Sequence, residues 1–71
     1  MESMQFTIEL DREVDGRWIA DIPALNLLLY GDSRDDAVQK AKSAALEIIA
    51  DRIAHGELPD AAANPVFAVA A

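Results

Sequence analysis

Three aspartates in the middle of the chain, Asp32, Asp35 and Asp36, have the spacing that comes closest to a chemical site. Clustered carboxylates can hold Mg²⁺ or Ca²⁺, but a calcium loop alternates its ligands and closes with a distant bidentate glutamate, which this segment lacks. The same residue types stabilise the first turn of a helix, as N-caps and as partners of the helix dipole. We therefore interpret them as helix-capping residues.

The single histidine, His55, is the only side chain expected to titrate near neutral pH. A general base needs a nucleophile or a substrate-orienting group nearby, and Ala54, Gly56 and Glu57 provide neither. A position beside the last carbonyls of a helix explains this histidine better. No serine lies in a Gly-x-Ser-x-Gly elbow, so no catalytic residues and no enzymatic activity are predicted.

Length and composition limit how such a chain can be stabilised. Its 71 residues form one domain, residues 1–71, and a domain near this size buries only about 60% of its unfolded surface. Small domains usually add disulfides, a metal or oligomerisation to so small a core. With no cysteine and one histidine, we predict no disulfide, no metal site and no cofactor, which leaves oligomerisation or partner binding.

The charge indicates which partners are suitable. Thirteen acidic residues against six basic ones give a net charge of −7, which opposes nucleic-acid binding and favours a basic protein partner. An apolar content of 52% argues against a disordered acidic tail. No apolar run approaches the length of a membrane span and no basic leader is present, so we expect a cytoplasmic chain without membrane attachment.

A hairpin is predicted at the start of the chain. Apolar and polar residues alternate over residues 4–11, and residues 17–22 form the return strand after an Asp-Gly turn. A two-residue turn would mix apolar and acidic residues on each face. A three-residue loop at 14–16, with its glycine in the left-handed conformation, instead pairs Leu10 with Ala20 and unites the apolar sets.

The third predicted strand, Leu27 to Tyr30, follows Pro23 and ends at Gly31. Its four residues include no polar member, although a half-buried strand should alternate apolar and polar residues. Both faces of this strand are therefore expected to be covered. The helix of so short a chain covers one face, and the other face needs a partner.

A long helix follows. Ser33 and Asp36 approximate a capping box, and Gly56 suits the C′ position, which gives a helix of about 22 residues beginning at Arg34. Its apolar positions recur at helical spacing. They are Val38, Ala41, Ala45, Ile48, Ile49 and Ile53.

A fourth strand is predicted within residues 64–71. The order β-β-β-α-β, with a small antiparallel sheet and one long helix on one face, is an α+β fold. The outer sheet face is expected to mediate homo-dimerisation or higher homo-oligomerisation through apolar side chains. The candidate interaction residues are the apolar Ile19, Leu27, Leu29 and Phe67 and the acidic Glu47 and Asp51, with Glu9, Asp11 and Asp21 as further acidic candidates.

Three segments, taken in order, resemble the HicB antitoxin family: residues 6–11, 15–23 and 30–37. Members typically have a strand, then a hairpin arm of the form Asp-Gly-aromatic-hydrophobic-Ala that ends in proline, then a Gly-Asp-[Ser/Thr]-x-x-Glu-Ala helix start. The resemblance extends over roughly residues 4 to 59. It implies a partial RNase H-like domain without RNase H activity.

The chain departs from the family pattern in one loop, at the start of the helix and in the lack of a DNA-binding domain. Asn26 lies in a shorter loop where the family has a Pro-Gly turn, and Asp36 stands where glutamate is usual. Many relatives append a helix-turn-helix or ribbon-helix-helix domain that binds an operator. The resemblance implies that residues 1–71 are the HicB-like domain alone. The negative net charge and the lack of a recognition helix with clustered Arg or Lys predict no sequence-specific DNA binding by this chain.

The resemblance implies an antitoxin that neutralises HicA, a small basic mRNA-cleaving toxin, by covering its RNA-binding surface and active site. The acidic charge and the absence of catalytic motifs agree with that role. The residues alone leave a second possibility, a homo-oligomeric structural or regulatory protein with no toxin partner.

Overall fold

The computed structural model describes residues 2–70. Its elements in chain order are β1 (Met4–Arg12), β2 (Trp18–Ile22), β3 (Leu27–Gly31), α1 (Arg34–Ala54) and β4 (Pro65–Ala70), with short 3₁₀ turns at Pro23–Leu25 and Asp60–Ala63. The predicted α+β fold and its order of strands and helix are confirmed. The sequence prediction of β4 extended to Ala71, which lies outside the described residues.

The four strands form one sheet in the order β3-β2-β1-β4. β2 runs antiparallel to both β1 and β3, whereas β4 runs parallel to β1. The sheet is therefore mixed, and the prediction of an antiparallel sheet was wrong in this respect. The cause is topological: the β3–α1–β4 crossover returns β4 in the direction of β3, and β3 already runs parallel to β1.

The β1–β2 hairpin has the predicted three-residue loop. The Glu13 N–H donates to the Arg17 carbonyl oxygen at 2.8 Å, and the Gly16 N–H donates to the Glu13 carbonyl oxygen at 2.9 Å. Gly16 has φ +92°, a backbone conformation that residues with a Cβ rarely adopt. Leu10 lies opposite Ala20, so the predicted register is confirmed.

The core lies between the sheet and α1. It is made of Phe6, Ile8, Ala20, Ile22, Leu25, Ala37, Val38, Ala41, Ala45, Ile49 and Ala62, all buried. Trp18 and Leu10 pack against this cluster, as the hairpin register requires. Small residues on the buried side of α1 let the helix approach the sheet closely. Three of the largest fully buried side chains, Phe6, Ile8 and Ile22, belong to the strands.

The side chains of β3 alternate between the two faces of the sheet, and both faces of the strand are apolar. Leu27 and Leu29 lie opposite Ile22 and Ala20 and pack against the core, on the helix side. Leu28 and Tyr30 face outward and are exposed.

The chain turns from β3 into α1 through a close backbone approach at Gly31, which is buried. A Cβ placed on Gly31 would lie 2.6 Å from the Cα of Ala37, and nearer still to its backbone nitrogen. Ala37 belongs to the first turn of α1, and its N–H donates to the Ser33 carbonyl oxygen at 3.0 Å. The glycine is therefore required by contact with the helix, beyond its predicted role in ending the strand.

The other end of α1 closes with a Schellman arrangement. The Glu57 N–H donates to the Arg52 carbonyl oxygen at 2.8 Å, and the Gly56 N–H donates to the Ile53 carbonyl oxygen at 3.1 Å. Arg52 also donates from its guanidinium to the Leu25 carbonyl oxygen at 3.2 Å, which ties the helix to the turn before β3. Within the described part of the chain, no helix combines the length and apolarity needed to span a membrane.

Candidate protein-interaction surface

The sheet face opposite α1 carries carboxylates beside apolar side chains. Glu9, Asp11, Asp21, Ile19 and Leu28 line a hollow of about 280 Å³. We call these five residues the acidic outer face. They point away from the core because Ile8, Leu10, Ala20 and Ile22, their alternate neighbours on β1 and β2, point toward it.

The strand register brings two of these acids face to face. Glu9 lies directly opposite Asp21, while Asp11 lies opposite Ile19. On the next strand pair, Asp21 lies opposite Leu28. Like charges directly opposite each other on an antiparallel pair destabilise the sheet. Among residues 2–70, no basic side chain forms an ion pair with any of the three acids, so the fold leaves their repulsion uncompensated.

Several basic side chains are engaged elsewhere. Arg17 pairs with Asp15 at 2.8 Å, and its guanidinium carbon lies 4.5 Å from the centre of the Tyr30 ring. The Lys40 ammonium lies 3.1 Å from the carboxylate of Asp36 in the first turn of α1. Arg52 is held by the turn before β3. These three cations are therefore held by other partners, and none of them forms an ion pair with an acid of the acidic outer face.

The predicted apolar interaction residues divide between the two faces. Ile19 belongs to the acidic outer face, as expected. Leu27, Leu29 and Phe67 were wrongly placed there, because all three pack against the core on the helix side. Phe67 lies opposite Phe6 in the sheet, with ring centres 6.1 Å apart.

The missed outward residues were Leu28 and Tyr30. The sequence did contain information about their orientation. The link between Ile22 and Leu27 is short and has an even number of residues, so these two residues pair and both face the helix. Leu28 must then face outward.

The two acidic helix candidates do not join the acidic outer face. Glu47 and Asp51 are exposed on α1. Glu47 lines a different hollow of about 430 Å³ together with Leu29 and Lys40, so that hollow is bordered by charges of both signs. Asp51 lies one turn before His55, with its carboxylate 3.5 Å from the imidazole Nδ1.

The aspartates first considered as a metal site serve the start of α1. The Asp36 N–H donates to the Ser33 Oγ at 3.0 Å, and the Asp32 N–H donates to the Asp36 carboxylate at 3.0 Å. That backbone hydrogen bond, with Lys40 as a second contributor, lowers the pKa of Asp36. The capping box of Ser33 and Asp36 is confirmed, and Asp35 also lies in the first turn of α1, whereas Asp32 contributes its backbone N–H. Within the described residues, no group of three or more acidic or histidine side chains could hold a metal ion.

His55 caps the end of α1, as predicted. Its Nδ1 lies 2.7 Å from the Asp51 carbonyl oxygen, and the protonated ring donates to that oxygen. This hydrogen bond, assisted by the negative charges of Asp51 and Glu57, raises the pKa of His55 above its usual value near 6.5.

These features define a small α+β domain whose outer sheet face is acidic and partly apolar. Comparison with protein-family models, with curated proteins and with solved structures gives no match for this chain. The resemblance to the HicB family therefore depends on the order and spacing of the sequence motifs.

Proposed function

We propose that this protein is an antitoxin-type binding module that neutralises a small, basic, HicA-type mRNA-cleaving toxin. The observation that carries the proposal is the acidic outer face, where carboxylates without an ion-pair partner lie beside the exposed Leu28 and the partly buried Ile19. Such a surface is complementary to a protein that binds RNA through lysine and arginine residues.

The charges and the apolar residues have different parts in this binding. The net charge of −7 and the group formed by Glu9, Asp11 and Asp21 steer a basic partner toward the sheet. Arginine or lysine side chains inserted between Glu9 and Asp21 remove a repulsion that the free chain carries. Ile19 and Leu28 then supply apolar contact, which determines how slowly the complex dissociates.

Inhibition follows from coverage of the toxin surface. A toxin that places its RNA-binding residues on the acidic outer face cannot present them to RNA. No chemical step by the antitoxin is needed, because occupation of the toxin surface is sufficient.

The test compares two double charge reversals of the same size. Glu9→Lys with Asp21→Lys changes the acidic outer face, and Glu47→Lys with Asp51→Lys changes the other candidate acids on α1. Each is co-expressed with a HicA-type toxin from the same genome, and association rates with catalytically inactive toxin are measured at low and high salt. Thermal unfolding verifies that each variant is folded.

We expect the first pair of substitutions to abolish growth rescue and to slow association at low salt by about tenfold or more. The helix pair should retain rescue. Raising the salt should narrow the difference, because exposed charges are screened beyond about 10 Å at 0.1 M. Failure of the wild-type chain to bind or rescue contradicts the proposed function, and loss of rescue only in the helix pair contradicts the proposed surface.

A further inference from the structure

β4 forms one edge of the sheet, and it has Pro65 at its start but no charged residue to protect that edge. Natural edge strands carry charges, bulges or covering segments that prevent pairing with another chain. From Ala61 to Ala70 this chain has no charged residue, although 27% of its residues are charged. Val66 and Val69 are among the most exposed large apolar side chains, at 49% and 39%.

The free edge of β4 presents backbone groups that are ready to pair. The Met4 N–H donates to the Asn64 carbonyl oxygen at 3.3 Å. This hydrogen bond determines which residues of β4 bond to β1 and which direct their backbone groups to the free edge. Because alternate residues of a strand direct their N–H and C=O groups to the same neighbour, Val66 and Ala68 face β1. Phe67 and Val69 then direct theirs outward.

The uncharged surface continues from β4 onto the helix side. Pro65 begins β4 and also lines an apolar groove of about 350 Å³, together with Ala63, Leu46 and Ile53. Leu46 on α1 is 50% exposed. A second pair of exposed apolar side chains, Leu28 and Tyr30, lies on β3 at the opposite edge of the sheet.

We propose that a second copy of this chain pairs with this edge, β4 against β4 in antiparallel orientation about a two-fold axis. The charge distribution favours a second copy over a basic partner. Two chains of charge −7 repel each other, and this repulsion is weakest where the contact surface has no acids, as at the β4 edge. A basic partner gains no electrostatic attraction there.

The backbone phase suggests the register. With the axis at Ala68, Phe67 of one copy lies opposite Val69 of the other, and their outward N–H and C=O groups pair in both directions. The small side chains of Ala68 meet at the axis. The contact is isologous, so it closes at two copies. This places dimerisation at β4, away from the outer sheet face expected from the sequence.

The first measurement is sedimentation equilibrium of the wild-type chain from low- to high-micromolar concentration. A mass of twice the chain's 7.7 kDa is expected at the higher concentrations. Val69→Lys places like charges across the axis and should give a monomer. Leu28→Lys makes the same kind of change on the outer sheet face and should leave the dimer intact.

The second measurement needs no variant. Amide hydrogen exchange by NMR should show protection of the Phe67 and Val69 amides at dimeric concentrations and its loss on dilution. The Ala68 amide, bonded within the chain, should stay protected in both conditions. A wild-type monomer at high concentration, a dimer that survives Val69→Lys, or a dimer with unprotected Phe67 and Val69 amides would each overturn the proposal.

Discussion

Gly16 and Gly31 are required for two different physical reasons, and alanine substitution should separate them. Gly16 has φ +92°, but a Cβ there would meet nothing within 4 Å. Gly31 has no such backbone requirement, but its Cβ would meet the backbone of Ala37. Gly16→Ala therefore tests backbone conformation, and Gly31→Ala tests packing of the helix on the sheet.

The magnitudes follow from these environments. Holding an alanine in the left-handed region at position 16 should reduce the free energy of unfolding by about 1 kcal/mol. At position 31 the new Cβ lies 2.6 Å from the Ala37 Cα, whereas carbon atoms in contact prefer about 3.5–4.0 Å. The start of α1 would have to retreat by about 1 Å. Overpacking usually reduces stability by about 1–3 kcal/mol, and obstruction by backbone places Gly31→Ala near 3 kcal/mol.

Urea unfolding followed by circular dichroism measures both effects. For a domain of this size the slope is about 1 kcal/mol per molar urea, so the midpoint should fall by about 1 M for Gly16→Ala and about 3 M for Gly31→Ala. The total free energy of unfolding is expected to be about 4–10 kcal/mol, so the second variant approaches the limit of folding.

Asparagine provides the matched control at both positions. It tolerates the left-handed region better than alanine does, so Gly16→Asn should recover part of the lost stability. Gly31→Asn keeps the Cβ and adds volume, so it should recover nothing. The reasoning fails if Gly31→Ala is less destabilising than Gly16→Ala, or if asparagine rescues position 31.

Three smaller predictions concern the helix ends and the acidic outer face. Ser33→Ala removes the N-cap oxygen from the Asp36 N–H and should reduce the free energy of unfolding by about 1 kcal/mol, measured by urea titration; an unchanged midpoint would contradict the capping role. Because the pKa of His55 is raised by folding, its stabilising contribution should be complete below about pH 6.5 and be lost as pH rises through the folded-state pKa. The stability difference between the wild type and His55→Gln should therefore shrink from pH 5.5 to 8.5, and an NMR titration at or below 6.5 would refute this. Glu9→Gln should stabilise the isolated chain by about 0.5 kcal/mol by relieving the repulsion with Asp21, yet weaken toxin binding, and a destabilised variant would show that the opposed charges are not a liability.

Local sequence signals predicted the hairpin and the helix well. The alternation in β1 and the parity of the loop before Trp18 determined which face each hairpin residue occupies. Ser33 and Gly56 determined the ends of α1 to within a residue. In each case the deciding interaction lies within a few residues of the signal, so no knowledge of the rest of the fold was needed.

The faces of β3 and the direction of β4 were not predicted, because they depend on pairing between distant strands. The run from Leu27 to Tyr30 contains no polar residue to mark the outward side, so its phase is determined by Ile22 across the turn. The apolar run of β4 is compatible with either parallel or antiparallel pairing with β1. Only the crossover through α1 makes it parallel to β1.

Only part of the acidic outer face was predicted, because the rest depends on pairing between strands. Its acids Glu9, Asp11 and Asp21 were individually recognised as candidates, and strand alternation was enough to place the first two on one side. Their direct opposition required the register of β1 with β2. The apolar part, Leu28, required the register of β2 with β3 as well.

If the acidic outer face binds toxin and the β4 edge forms the dimer, the two surfaces can be tested independently. Antiparallel pairing of β4 edges about an axis perpendicular to the sheet keeps the same face of each copy on the same side. With strands about 4.8 Å apart, the two acidic outer faces would then be centred about 20 Å from each other. The dimer should bind two toxin molecules, and a monomeric Val69→Lys variant should bind one with the same intrinsic affinity, because Val69 is not part of that face. Loss of toxin binding together with dimerisation would mean that the β4 edge, and not the acidic outer face, contacts the toxin.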